Sequence, residues 1–163
     1  MKKVKVFLFS LMLAAMPLLT LSTTASAQAT TNTVSIRFPV NLAQFTPCAN
    51  GAAGEVITLS GYLHVLMSIT INDNAIHMSQ HWQGQGISGT GNTTGDLYQA
   101  AGVNRFDTKA SFNGQFKQTI ADNFRLIGQG PGNDLLWHHT LHVTVNANGD
   151  VTATVDYSWI ECK

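Results

Sequence analysis

The sequence predicts an all-β domain: an antiparallel meander of seven to eight long strands, closed or nearly closed into a barrel, with a two-sheet sandwich as the alternative. Three observations lead there. Apolar side chains recur at every second residue through most of the chain, and helical periodicity is nearly absent. Short turn-forming stretches (Asp73-Asn74, Asn113-Gly114, Ala147-Asn148-Gly149) separate these runs at lengths that suit tight hairpins. Glycines at 84, 86, 89, 91, 95 and 102 fit strands that coil sharply or pass close to another backbone.

Met1 to Ala27 reads as a secretory signal peptide, bacterial in style. Lys2, Lys3 and Lys5 precede an apolar run from Val6 to Leu21, and Ala25-Ser26-Ala27 offers the small side chains that a signal peptidase admits. The run is short for a spanning helix and no second one follows. The expectation is one domain over residues 28–163, secreted or periplasmic, with no membrane span after cleavage. The leader takes three of the nine basic residues and none of the nine acidic ones. The remaining chain has no block of like charge, which argues against nucleic acid as a partner. Its aromatic and β-branched content argues against disorder.

The first strand carries Val34, Ile36, Phe38 and Val40 on one side, and Pro39 places it at an edge or an end. Phe45 to Gly51 reads as a loop. A long strand follows, about Glu55 to Ile71, with Ile57, Leu59, Leu63, Val65, Met67 and Ile69 on one face and Thr58, Ser60, Tyr62 and His64 on the other. A two-residue loop at Asp73-Asn74 pairs Ile71 with Ile76, Ile69 with Met78 and Val65 with Trp82. Two further strands are expected at about Gln83 to Gly91 and Gly95 to Phe106. The turn at Asn113-Gly114 pairs Ala110 with Phe116 and Phe106 with Ile120. Gly128 to Asn133 (GQGPGN) reads as a loop. A three-residue loop with Gly149 left-handed pairs Val145 with Val151, Val143 with Ala153, Leu141 with Val155 and Trp137 with Trp159.

Cys48 and Cys162 are the only cysteines. In an exported chain such a pair implies one disulfide. It would close a loop of over a hundred residues, for which the chain-entropy account gives about 5 kcal/mol. Neither cysteine has a second thiol at CxxC spacing, so metal or nucleophile roles are disfavoured.

Six histidines raise the question of a metal. His138 and His142 share a face but lie roughly 13 Å apart along an extended strand, too far to hold one ion alone. In the expected register Asp156 sits between them and pairs with one or the other. His77 and His81 have the same spacing, with His64 diagonal to His81. His138 and His139 are adjacent and point to opposite faces, and neither HxH nor HExxH occurs. Cross-strand hydrogen bonding is therefore the preferred reading, with no metal and no cofactor.

Asp122 shares the alternation of Phe116, Ile120, Phe124 and Leu126. It points inward beside Asn104, either as a buried base or, the preferred reading, as a residue at the barrel mouth facing water. Arg105 and Arg125 fall on the outer face. Trp82, Trp137 and Trp159 fall on the apolar face, as core packing or as the lining of a cavity. No nucleophile elbow, Walker loop or dinucleotide fingerprint is present.

Cys48, Ala53 to Gly61 (AGEVITLSG), GQGPGN, His142 to Gly149 (HVTVNANG) and Glu161-Cys162-Lys163 together look like a group of small exported bacterial proteins of unassigned function. That resemblance supplies no mechanism. The strand pattern is also similar in outline to lipocalin-like and allene-oxide-cyclase-like barrels, although no Gly-x-Trp stands at the first strand; this likeness implies architecture only.

The expectation for function is a binding module for a small apolar ligand or a surface partner, with Trp82, Trp137, Trp159 and Asp122 at the site. Two alternatives stand beside it. One is a barrel enzyme of cyclase or isomerase type using a cavity Asp or His. The other is a structural module with a filled core.

Overall fold

A computed structural model describes residues 28–130 and 132–163. The leader read over residues 1–27 lies outside the described residues. The fold is all-β, with seven strands: β1 (Thr30–Thr46), β2 (Glu55–Ile71), β3 (Ala75–Gly91), β4 (Leu97–Ser111), β5 (Phe116–Gly128), β6 (Leu135–Val145) and β7 (Val151–Cys162). They form one sheet in chain order, each strand antiparallel to the next.

The sheet is not closed. β1 and β7 each pair on one side only. The first and last strands of any seven-stranded meander run in the same direction, so closure would need a parallel ladder between them, and none forms. Full closure is absent, and the expected meander is realised as one curled, open sheet, consistent with an open barrel or a sandwich-like arrangement.

The strand count settles at seven because the runs on either side of Gln83 are one strand. β3 bends where its register to β4 shifts between Gln83 and Ile87, and Gly86 there adopts φ +60°. Facing that bend, Gly61 on β2 has no room for a side chain: a Cβ would lie 2.6 Å from Ile87 Cα and 2.8 Å from the Gly86 carbonyl oxygen.

The core sits at one end of the sheet. Ile57 and Leu59 from β2, Tyr98 from β4, Leu126 from β5 and Leu135 from β6 cluster with Cys48 and Ala49 of the loop after β1. That loop plugs the end of the curl, and the Cys48–Cys162 disulfide ties it to the last residue of β7. At the opposite end the inner side chains are poorly covered: Val34 and Ile36 are 39% and 48% exposed.

The hairpins at 72–75 and 111–116 have the expected partners, with Ile71 facing Ile76, Val65 facing Trp82, Ala110 facing Phe116 and Phe106 facing Ile120. The β6–β7 hairpin starts as expected with Val145 facing Val151, but a bulge then sets Thr144 against Ala153. Every later pair is moved by one residue: Val143 faces Thr154, Leu141 faces Asp156 and Trp137 faces Ile160. A one-residue slip exchanges the two faces of a strand. Val155, Tyr157 and Trp159 are therefore on the outer face, and Asp156 is on the inner one.

Candidate ligand groove on the inner face

Register places a row of side chains across the middle of the inner face: Trp82 on β3, Asn104 on β4, Asp122 on β5, His139 on β6 and Ser158 on β7. Trp82 packs between Phe38 and Phe106, with ring centroids 6.4 and 5.6 Å away, and its indole N–H donates to Gln80. Trp137 stacks parallel to the His139 ring.

His139 is held between two carboxylates. Its Nδ1 lies 3.3 Å from Asp122 Oδ2 and its Nε2 lies 3.0 Å from Asp156 Oδ1. The hydrogen bond to Asp156 raises the imidazole above its ordinary value. Burial opposes this, and Asp122 adds to the rise, so the net direction is upward. A protonated ring donates from both nitrogens, which is what two flanking acceptors favour. Asp122 is only 9% exposed, and its Oδ1 is buried with no hydrogen-bond partner. This corrects the reading that put Asp122 at a wet mouth. The pairing of Asp156 with His138 or His142 is likewise corrected, because the bulge carries Asp156 to the other face.

Arg37, Arg105, Lys109, Lys117 and Arg125 all alternate with the inner positions and belong to the outer face. Among the described residues, the inner-face groups able to carry charge at mid-sheet are Asp122, His139 and Asp156. Among the described residues no group of three His, Cys, Asp or Glu side chains is arranged to hold a metal ion. The two carboxylates lie on opposite edges of one imidazole, which suits a proton and not a chelate.

Two open cavities flank this row. One, of about 190 Å³, is lined by Val40, Leu63, Trp82, Ile87, Asn104 and Phe124. The other, of about 320 Å³, is lined by Leu42, Phe45, Pro47, Asn104, Phe124, Trp137 and Ile160. They share Leu42, Asn104 and Phe124, so together they form one apolar groove with a polar side chain at its waist. The groove reaches from β1 across to β7, which shows how far the sheet curls.

Of the four residues expected at a site, Trp82 and Trp137 line this groove and Asp122 lies in the row beside it. Trp159 does not join them. It stacks on His138 on the outer face, with centroids 4.4 Å apart. The inner placement of Asp156 escaped the sequence reading, since nothing in the sequence marks the bulge; His139 escaped it although it shares the alternation of Trp137.

A second buried acid was also missed, although parity signalled it. Glu55 begins β2 on the same alternation as Ile57 and Leu59, and it is 3% exposed. Its carboxylate accepts from the Thr93 and Thr94 backbone N–H groups, the Thr94 hydroxyl and the Tyr98 hydroxyl. Burial pushes Glu55 up, but the four donors together hold it below the usual carboxylate range. The four donors hold the 92–95 turn against β2; the cluster is structural.

Among the described residues no helix is long and apolar enough to cross a membrane. Compared with known proteins, the chain matches no family model, and no curated protein or solved structure shows significant similarity to it. Function is therefore argued from the groove itself.

Proposed function

We propose that this protein is an exported binding module that holds a small, mostly apolar molecule in the inner-face groove. The carrying observation is the continuous, mostly apolar groove past Trp82, Phe124 and Trp137, with Asn104 at its waist and Gln44 in the larger cavity as its polar lining residues. Pockets of this kind take an apolar body and fix its orientation through a few polar groups. The disulfide and the leader-like first residues support export. Native mass spectrometry of protein taken directly from its source, together with Nile red titration of the purified protein, tests the reading. The expected result is a retained small molecule, and dye uptake that Trp137→Ala weakens at least roughly fivefold by removing a large aromatic contact. No retained molecule and no dye uptake would overturn it.

A second reading is favoured by one observation. His139 beside a buried Asp122 has the arrangement of a general base steered by a carboxylate, with its Nε2 free for a ligand once the exposed Asp156 side chain turns away. It would make the groove the site of a proton transfer. Turnover of a retained ligand that stops in His139→Gln while binding persists would select this reading over simple binding.

A further inference from the structure

The last strand is exposed along its length on both faces, and beyond the bulge at its start and the inward-pointing Asp156 its free edge carries no Pro or Lys to block pairing. From Val151 to Ile160 every residue is exposed, with Val155, Tyr157 and Ile160 at 51%, 62% and 57%. The segment has no Pro, Lys or Gly, and is rich in β-branched and aromatic residues. The other free edge differs. Pro39 stands in the middle of β1, opposite Tyr62, and its missing N–H must fall on the side away from β2.

The free backbone groups of β7 follow from its ladder. Asp134 and Lys163 exchange both backbone hydrogen bonds, at 3.1 and 2.9 Å. Antiparallel pairs alternate, so Glu161, Trp159, Tyr157 and Val155 also bond to β6, while Thr154, Asp156, Ser158 and Ile160 point their N–H and C=O groups outward. We infer that this edge pairs antiparallel with the β7 edge of a second copy about a two-fold axis through Tyr157, making one continuous sheet.

Side chains and charges select that register. With the axis at Tyr157, Asp156 bonds opposite the partner's Ser158 and Thr154 opposite the partner's Ile160. On the outer face Tyr157 meets the partner's Tyr157, and Val155 meets the partner's Trp159; aromatic pairs of this kind favour adjacent strands. An axis at Asp156 would set two carboxylates directly against each other. The chosen axis sets Lys163, which pairs with Glu161 of its own chain at 3.5 Å, opposite the partner's Val151 and one residue from the partner's Asp150. A two-fold contact of this type closes on itself.

Sedimentation velocity over a concentration series tests this, together with oxidative cross-linking of cysteine variants. Tyr157 and the partner's Tyr157 form a non-hydrogen-bonded pair, where Cα atoms lie about 4.5 Å apart, within disulfide reach. Tyr157→Cys should therefore give a covalent dimer on mild oxidation, and Trp159→Cys should not. Ser158→Pro removes an outward N–H without breaking a bond to β6, and should raise the dimer Kd at least roughly tenfold, as expected for one lost pair of edge bonds. Asn41→Pro on β1 should leave it unchanged. Circular dichroism confirms that each variant folds. A protein that stays monomeric up to about 1 mM, cross-linking through Trp159→Cys instead, or dissociation by Asn41→Pro would each overturn the inference.

Discussion

The imidazole of His139 bonds to Asp122 on the neighbouring strand at 3.3 Å, and the acceptor it uses belongs to a carboxylate whose other oxygen is buried without a partner. Asp156 completes the bracket from the opposite side, at 3.0 Å. Three titratable groups thus share a small polar island on an apolar face.

That island makes stability depend on pH in a definite direction. The folded-state value of His139 is raised, first by Asp156 and then by Asp122, against the opposing effect of burial. A raised value means that the native state holds the proton more tightly than the unfolded chain. The contribution is therefore fully present below the unfolded value of about 6.5 and is lost as pH rises through the folded value. Urea midpoints of wild type and His139→Gln should differ more at pH 5.5 than at pH 9. Equal differences at the two pH values would show that the ring acts by packing alone.

The sequence announced this face but not its chemistry. Alternation placed Ile57, Leu59, Val65, Trp82, Asn104, Asp122 and Phe124 on one side, and two of the hairpins have turns whose length fixes register. The Trp159 and Asp156 placements failed together, for one reason. The bulge at Thr144 inserts a residue in β7 without a glycine or proline to mark it, and parity arguments propagate such a slip to the strand's end. The sequence left open whether the sheet closes fully or nearly. Closure depends on whether the first and last strands meet, and only the strand count hints that they must run parallel.

Glu55 is the anchor of the 92–95 turn. Replacing it with Gln leaves a shorter set of acceptors and turns an NH₂ toward backbone N–H donors. Charge-assisted bonds contribute about 1.5–3 kcal/mol each, and they are not additive, so Glu55→Gln should cost on the order of 3 kcal/mol. The loss should be largest at neutral pH and shrink as the pH falls. Because the folded-state value is lowered, the stabilisation exists above the unfolded carboxylate value and disappears as pH falls through the folded one. Denaturation curves at pH 7 and pH 3 measure this, and an equal cost at both would count against it.

Tyr98 shares that cluster and reports on it optically. Burial, then the hydrogen bond to Glu55, then the charges of Glu55 and Asp96 push its phenol up to about 12. Absorbance titration should show one tyrosine that stays un-ionised well past pH 10 while the protein remains folded. Stability should decline as pH rises between the unfolded value near 10 and the folded one, since only the unfolded chain then releases the proton. Glu55→Gln should bring this tyrosine's ionisation down. A single transition for all three tyrosines would place Tyr98 in water.

Reduction of the disulfide separates the two halves of the groove. Phe45 and Pro47, which line the 320 Å³ cavity, precede Cys48, and Ile160 of the same cavity lies just before Cys162. The 190 Å³ cavity has no lining residue that close to either cysteine; its walls come from the middle of β1 to β5. Cys48→Ser with Cys162→Ser should lower stability by roughly 2–5 kcal/mol, as long-loop disulfides do. The plug loop should then loosen and widen the cavity against Trp137, while the Phe38–Trp82–Phe106 stack stays packed. Tryptophan emission in single-tryptophan variants resolves the two ends: the Trp137 signal should shift to the red on loss of the disulfide, and the Trp82 signal should not. Equal shifts would mean that the disulfide supports the whole sheet and not one end of the groove.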